Sequence, residues 1–350
     1  MPRSFDSLRS LRMTTFPYLN TANNHLSHQR GGGGIYWSEV IFIAIVTTDT
    51  PITSAKNQEM IRKLAETYDF ITTEVLTNTA FGRPVLAIKM GRGPRKVLFS
   101  AAHHANEWIT SYVLLKFAEE LAAAMEQDGT VFGVRARNID QAATIYLIPM
   151  VDPDGVDLVT GAIEAGSVEY EIARRLAENY PQIPFPQGWK ANLLGVDLNL
   201  QYPAGWLQAR QIKFDQGYTR PGPRDYVGRA PLAQLESRAL AEFTQRIDPA
   251  MVLAYHTQGR VIYWQFRDIA VPEARRYGEE FARLSGYSLE DTPYNSAWAG
   301  YKDWFIQNFG RPGYTIEAGS GENPLPLSQF DEIYRDNLGI LVTAATGLPG

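Results

Sequence analysis

Residues 96–108 read KVLFSAAHHANEW and contain the change of pattern that decides the fold. The apolar run at residues 96–102 predicts a buried strand. After Trp108, apolar side chains recur at the spacing of one helix face: Ile109, Val113, Leu114, Phe117 and Leu121. A helix is therefore predicted to follow the strand. Two histidines and a glutamate lie at the junction between these two elements.

The rest of the chain repeats this alternation of short apolar runs and amphipathic stretches. Further strands are predicted at residues 84–90, 144–151, 251–257 and 313–318, and further helices at residues 60–68, 231–247 and 328–346. Pro231 is predicted to occupy the first turn of its helix. Alternating strands and helices are typical of an α/β domain. The long connection at residues 180–228, rich in Gly, Pro and aromatic residues, is predicted to build the wall of a cleft.

Residues 1–50 differ in composition from the remainder. They mix Ser, Asn and Thr with four consecutive glycines at residues 31–34 and lack a helix or strand period. We interpret them as an irregular N-terminal extension of unclear role, and residues 51–350 as one folded domain. The strongly apolar run at residues 40–46 is far shorter than the roughly 20 residues that cross a bilayer, so no membrane span is predicted.

Composition excludes several kinds of partner and of chemistry. The 33 basic and 38 acidic residues give a net charge of −5 and are interspersed, so nucleic acid is not an expected partner. The absence of cysteine excludes disulfides, a thiolate metal site and a cysteine nucleophile. Any metal ion must therefore bind His, Asp or Glu side chains. The five histidines are His25, His28, His103, His104 and His256.

Three residues form a candidate metal site. His104 and Glu107 are three positions apart, so on one helical turn they project to the same side and can reach an ion about 2 Å from each. His103 could also face Glu107, since it lies four positions away. His256 ends another predicted strand, and ligands gather at strand ends in an open α/β sheet. Three protein ligands are typical of catalytic zinc, although a His-x-x-Glu spacing alone often arises by chance.

A late carboxylate, Glu317, lies near the end of the predicted strand at residues 313–318. Burial of a carboxylate is unfavourable unless the group is paired or has a function. We therefore prefer a functional interpretation of Glu317 to a surface position.

Five ordered segments resemble the zinc carboxypeptidase family. They are HHANEWIT at residues 103–110, MVDPDGV at 150–156, WKANLLGVDLN at 189–199, AYHTQG at 254–259 and YTIEAG at 314–319. The resemblance extends over roughly residues 55–345, and five motifs in order are far more specific than any one of them. Within the family the chain looks most similar to γ-D-glutamyl-L-diamino acid endopeptidases. That similarity lies in GVDLNLQYPAGW at residues 195–206, AGYKDWF at 299–305 and IEAGSGENPLP at 316–326.

The resemblance implies a fold and a reaction. The fold is a carboxypeptidase-like α/β domain with a mixed open sheet flanked by helices and an active site at the C-terminal ends of the strands. Residues 51–350 would then be a zinc peptidase catalytic domain. Glu317 matches the general base, which takes a proton from a zinc-activated water and gives it to the leaving amine.

The resemblance also implies the metal ligands. One zinc ion would be bound by His104, Glu107 and His256, and His103 would be a neighbour that does not bind it. Asp197 matches the carboxylate that orients the first histidine, a contact that metal-bound imidazoles usually need. From the sequence alone, Asp197 could equally be a turn residue.

Three further residues match positions that act on the substrate. Lys190 lies where the family often has an arginine that stabilises the oxyanion. Tyr294 is matched, with a one-residue gap, to a mobile tyrosine that covers bound substrate. Asn199 matches a substrate-binding asparagine. For Lys190 and Tyr294 an ordinary surface position is an equal alternative.

The sequence departs from carboxypeptidases at two positions. Leu200 directly follows Asn199, where carboxypeptidases have an arginine that binds the terminal carboxylate of the substrate, and Leu200 would line the substrate site without that charge. Another family arginine is replaced by Asn106 between the metal ligands. Both changes fit a scissile bond that is not next to an ordinary C-terminal carboxylate. Because a γ-D-glutamyl bond still has carboxylates nearby, some cation is expected in the cleft. The candidates are Arg220, Arg224 and Arg260, with Arg260 best placed because it follows His256 by four residues, although all three could equally be solvated.

Three hypotheses follow for the function. The first is a zinc endopeptidase that cleaves the γ-D-glutamyl bond to diaminopimelate or lysine in peptidoglycan stem peptides. The second is a carboxypeptidase with an altered terminal preference, and the third is a peptide-binding relative without activity. A bacterial cytoplasmic or cell-wall location is expected, and the sequence does not determine the oligomeric state.

Overall fold

The computed structural model describes residues 44–348 of the chain. Most of the predicted N-terminal extension lies outside these residues, so its boundary at residue 51 stays a prediction. Residues 44–50 are described and belong to no helix or strand. Within the described range, no helix combines the length and the apolar character needed to cross a membrane.

Helices and strands alternate along the described chain. The helices are α1 Ser54–Thr67, α2 Ile109–Glu126, α3 Ala136–Ala142, α4 Pro153–Thr160, α5 Val168–Ala177, α6 Trp206–Asp215, α7 Leu235–Ile247, α8 Ala274–Ser285, α9 Tyr301–Phe309 and α10 Phe330–Thr346. The strands are β1 Thr72–Asn78, β2 Pro84–Met90, β3 Arg95–Ala101, β4 Thr130–Val131, β5 Val134–Arg135, β6 Ala143–Ile148, β7 Met251–His256, β8 Val261–Tyr263, β9 Ser288–Glu290 and β10 Gly313–Glu317. All five predicted strands and all four predicted helices are present.

Eight strands form one mixed, open sheet, which confirms the predicted fold class. Their order is β1-β2-β6-β3-β7-β10-β8-β9, and β4 and β5 pair separately. The central strands β6, β3, β7 and β10 are parallel to their neighbours in this group, whereas β1, β2 and β8 make antiparallel pairs. Parallel central strands place their carboxyl ends at one edge of the sheet.

Helices cover both faces of the sheet because successive side chains of a strand point to opposite faces. In β3, Val97 and Phe99 belong to the core cluster that includes apolar residues of α1, α2, α8 and α10. Leu98, between them, belongs to a second cluster with residues of α7 and α9. All three side chains are fully buried. Burying one side chain of this kind contributes roughly 1.5–3 kcal/mol, so both apolar layers support the central strand.

The predicted first turn of α7 is wrong. This helix begins at Leu235, and Pro231 precedes it. Leu232 has a left-handed backbone with φ of 53°, and its N–H donates to the carbonyl of Gln201. A left-handed residue cannot continue an α-helix, so the chain turns once more before the helix starts.

Candidate active site

The ends of two neighbouring parallel strands bring the three predicted metal ligands together. β3 leads into a 3-10 helix at Ala105–Glu107, which carries Glu107 and is preceded by His104, while His256 is the last residue of β7. The Nδ1 atom of His104 lies 3.0 Å from Oε1 of Glu107, and Nδ1 of His256 lies 2.9 Å from Oε2 of Glu107. The two Nδ1 atoms are 3.2 Å apart.

This arrangement fits a zinc ion. Ligand atoms about 2.0–2.1 Å from a tetrahedral zinc ion lie about 3.3 Å from one another, close to the separations found here. Among the described residues, His104, Glu107 and His256 are the one group of His, Asp and Glu side chains close enough to share an ion. Two nitrogens and a carboxylate suit zinc, because imidazole and carboxylate are its usual ligands when no thiolate is present.

The structure places His103 beside the metal site and outside it. Its ring stacks on His256 with ring centroids 5.0 Å apart, and its Nε2 lies 2.8 Å from Oγ of Ser100. Burial lowers the pKa of His103 well below its usual value, and the neighbouring histidines lower it further. His103 is therefore a neutral packing residue, whereas the sequence left open whether it faces Glu107.

Asp197 lies behind the first histidine, as the resemblance implies. Its Oδ1 is 3.2 Å from Nε2 of His104 and also accepts a hydrogen bond from the backbone N–H of Asn199. Its Oδ2 accepts from the backbone N–H of Asp225. Burial alone would lower the pKa of His104, but the carboxylates of Glu107 and Asp197 raise it to about 9. The site therefore stabilises positive charge.

Glu317 is the last residue of β10 and pairs in register with His256 on the adjacent parallel strand. Burial raises the pKa of Glu317, the charge of Glu107 raises it further, and the result is about 8. A carboxyl group with such a pKa can both accept and release a proton near neutral pH.

Lys190 also reaches the site. Its Nζ lies 2.7 Å from Oε1 of Glu107. Its backbone N–H donates to the carbonyl of Pro223, and its own carbonyl accepts from the N–H of Ala105. These bonds fix the lysine backbone against the turn that carries the metal ligands.

Two adjoining cavities form a cleft over these residues, one of about 190 Å³ and one of about 830 Å³. The smaller is lined by the three metal ligands and by Asn199 and Leu200, among others. Both are lined by Lys190, Arg224, Tyr263 and Glu317. Residues of the 180–228 connection line both cavities, which confirms the predicted cleft wall.

Asn199 and Leu200 are at the cleft. Asn199 Nδ2 lies 3.5 Å from Nε2 of His256, and its Oδ1 accepts a hydrogen bond from the N–H of Tyr301. Leu200 is buried in a small apolar cluster with Val227 and other residues, so it contributes no charge of its own to the cleft.

Three predicted residues, Tyr294, Arg220 and Arg260, line neither cavity of the cleft. Tyr294 is 64% exposed, its ring contacts Trp298 at 5.6 Å between centroids, and it lines neither cavity. Arg260 also lines neither cavity, because its Nη1 pairs with Glu332 at 3.0 Å and Asp336 at 2.8 Å. Their predicted roles stay predictions, and the geometry gives them no contact with the metal site.

Sequence reasoning missed several cleft residues. Thr315 lines the smaller cavity, and its position two residues before Glu317 on one strand was a usable signal, because such residues share a face. Lys302 and Asp303 line it as well and form a buried ion pair at the start of α9. Asp225, which supports Asp197, gave no signal, since it lies in an aperiodic loop.

Comparisons with known proteins agree with this geometry. The zinc carboxypeptidase family matches residues 58–339. Gamma-D-glutamyl-L-diamino acid endopeptidase 1 of Lysinibacillus sphaericus is 43% identical over 282 residues, which cover 81% of this chain and 69% of that protein. The uncharacterized protein YqgT of Bacillus subtilis strain 168 is 36% identical over 286 residues, covering 81% and 74%.

A solved structure shows the same fold. Carboxypeptidase A from Helicoverpa armigera superposes with a TM-score of 0.64 at 16% identity, covering 86% of this chain and 75% of that one. This likeness concerns the fold alone, whereas the family match extends over most of the chain. The protein thus belongs to the zinc carboxypeptidase family of metallopeptidases.

Proposed function

We propose that this metallopeptidase hydrolyses the γ-D-glutamyl bond to the diamino acid in stem peptides of bacterial peptidoglycan. The relative from Lysinibacillus sphaericus, named for this bond, supports the proposal at 43% identity. The observation that carries it is an intact hydrolytic site in a cleft where Leu200 occupies the position of the arginine expected in a carboxypeptidase.

The residues of the site have three different roles in hydrolysis. His104, Glu107 and His256 would hold zinc, which when bound supplies a Lewis acid that activates water and polarises the amide carbonyl. Glu317 accepts the proton of the attacking water and delivers it to the leaving amine. Lys190 donates to the carbonyl oxygen as negative charge develops there.

Leu200 argues against trimming of ordinary C-terminal residues. A terminal carboxylate needs a charge-assisted partner, and a leucine side chain offers none. Leu200 packs against Val227 and Ala299, so its position is fixed by the apolar cluster. Desolvating a carboxylate against the Leu200 side chain would cost binding energy, which favours substrates cleaved inside a longer peptide.

Digestion of defined stem peptides, analysed by mass spectrometry with and without a zinc chelator, tests the function. We expect chelator-sensitive cleavage after the γ-D-glutamyl residue and little release from N-blocked dipeptides. Stepwise release of C-terminal residues would favour the altered carboxypeptidase. No cleavage of either substrate by zinc-loaded protein would contradict the proposal.

A further inference from the structure

Arg224 lies where the two cavities of the cleft meet. It lines both of them, together with Lys190 and Glu317. Its side chain is 40% exposed. A group at this junction lies close to the scissile amide, because Glu317 and Lys190 act on that amide in the proposed function.

The guanidinium of Arg224 is anchored at one end and open at the other. Nε donates to Oδ2 of Asp225 at 2.6 Å, and within residues 44–348 Nη1 and Nη2 make no hydrogen bond. Two parallel N–H groups on a planar guanidinium match the two oxygens of a carboxylate.

Asp225 connects Arg224 to the metal site through hydrogen bonds. Its Oδ1 is paired with Nζ of Lys213 at 2.5 Å. Its backbone N–H donates to Oδ2 of Asp197, whose other oxygen contacts His104. The position of Arg224 relative to the metal ligands is therefore fixed through one residue and its contacts.

The other described cations of the cleft have carboxylate partners within the protein. Lys190 pairs with Glu107, Lys213 with Asp225, and Lys302 with Asp303. Lys302 also donates to the carbonyl of Gln265. Arg224 also has a carboxylate partner, Asp225, but the hydrogen bond uses only Nε, so among the described residues no acceptor is hydrogen-bonded to its two terminal nitrogens.

We propose that Arg224 binds the free α-carboxylate of the residue on the acyl side of the scissile bond. The inference rests on the proposed function, since a γ-linked glutamyl residue places such a carboxylate a short aliphatic chain from the scissile carbonyl. In the proposed function Leu200 lies on the amine side of the bond, because it takes the place of the arginine that binds a terminal carboxylate in carboxypeptidases. Leu200 lines only the smaller cavity, whereas Arg224 lines both, so the larger cavity is assigned to the acyl side. Arg224 would therefore determine the preference for γ-linked substrates.

Two stem peptides test the inference, identical except that the glutamyl α-carboxylate of one is a carboxamide. We expect the wild-type protein to cleave the carboxylate form with a kcat/KM about tenfold higher, the scale of one charge-assisted pair at a partly exposed site. In Arg224→Gln the ratio should fall to about one, through a loss on the carboxylate substrate alone. Arg224→Lys should retain part of the preference.

The ratio of the two kcat/KM values distinguishes a loss of carboxylate recognition from a general loss of active protein. Loss of zinc or of folded protein lowers both rates equally, and zinc content is measured for each variant. Arg229→Gln is the matched control, because Arg229 is an exposed arginine in the same loop that lines neither cavity.

Each outcome has one meaning. An unchanged ratio in Arg224→Gln overturns the inference while leaving the proposed function intact. A third peptide carries a carboxamide on the diamino acid instead of on the glutamyl residue. If Arg224→Gln removes a preference of the wild-type protein between this peptide and its carboxylate form, Arg224 binds a carboxylate on the amine side, and the inference is overturned. If the wild-type protein cleaves no γ-glutamyl peptide, the proposed function fails and the inference with it.

Discussion

Glu317 is a carboxyl group whose environment suits proton transfer. It ends a buried strand beside His256, and burial together with the charge of Glu107 raises its pKa to about 8. Its role can be separated from metal binding, because Glu317 is not among the three residues that form the metal cluster.

Replacing Glu317 by Gln should abolish most of the activity and leave zinc binding unchanged. The glutamine keeps the shape of the side chain but cannot take a proton, so kcat should fall by roughly 10²–10⁴-fold. Steady-state kinetics and zinc stoichiometry measure the two effects. Glu290→Gln, at the exposed end of another strand of the sheet, is the control and should behave as wild type. A zinc-loaded Glu317→Gln protein with normal kcat would exclude Glu317 as the base.

Asp197 acts on the metal through His104. Its carboxylate contacts the histidine and accepts from the N–H groups of Asn199 and Asp225. Asp197→Asn should weaken zinc binding by roughly 10–100-fold, because the histidine loses its charged partner. Competition with a chromogenic chelator measures the affinity, and Asp215→Asn on the exposed side of α6 is the control. Equal affinities in the two variants would show that Asp197 does not support the ligand.

At the scale of helices and strands, the start of α9 depends on a buried ion pair. Lys302 and Asp303 are 3% and 2% exposed, and their charged atoms are 2.6 Å apart. Asp303 also accepts from the N–H of Gly300, next to the cleft. A single change that leaves the carboxylate unpaired should therefore be costly.

Lys302→Met should lower the free energy of unfolding by roughly 3–5 kcal/mol, because it leaves Asp303 buried without its partner. Adding Asp303→Asn should recover part of this loss. Urea unfolding measures both. Lys63→Met, which removes a half-exposed cation on α1, should change stability by less than about 1 kcal/mol. If the double variant is no more stable than Lys302→Met, the unpaired charge is not the cause.

Every element that the sequence predicted has a clear apolar pattern, but not every element with such a pattern was predicted. The central strands read as apolar runs because both of their faces are buried. β1 has the polar sequence TTEVLTN with mostly exposed side chains, and it forms by pairing with β2, which no local pattern reveals. β8 and β9 have three residues each, too few for a period. α8 was missed although Ala274, Tyr277, Gly278 and Phe281 recur at helical spacing.

The same limit applies to the site. His104, Glu107, His256 and Glu317 lie at or just beyond strand ends, so short motifs were enough to predict that they meet. Arg260 was expected at the substrate because it follows His256 closely, but its left-handed backbone, with φ of 56°, turns the chain toward the acidic side chains of α10. Loop paths of this kind depend on tertiary contacts that sequence spacing does not contain.

At the scale of the whole molecule, one edge of the sheet joins groups that are distant in sequence. His104 follows β3 and Glu317 ends β10, and these two strands are separated by β7. An ion bound to His104, Glu107 and His256 therefore links segments of the chain that are apart in the unfolded state. Metal binding should be coupled to the stability of the whole fold.

Zinc should raise the unfolding temperature of the protein and chelation should lower it. A ligand at a thousand times its Kd stabilises the folded state by about 4 kcal/mol if it does not bind the unfolded chain. Thermal unfolding at several zinc concentrations measures the effect. Magnesium is the control ion, since it prefers oxygen ligands. A zinc-dependent shift of the same size in His256→Ala would mean that the stabilising ion binds elsewhere.

Stability should also depend on pH through Glu236, a buried carboxyl group in the first turn of α7. Burial, aided by the charge of Asp154, raises the pKa of Glu236 from 4.5 to about 7. The folded state then binds a proton at Glu236 more tightly than the unfolded state does. The stabilisation of the folded state by this proton is fully present below pH 4.5 and is lost as the pH rises to about 7. The free energy of unfolding should fall by roughly 3 kcal/mol over this range. Denaturant unfolding from pH 4.5 to 8 should show this fall in wild type and a smaller one in Glu236→Gln, which stays neutral; parallel profiles would exclude Glu236 as the titrating group.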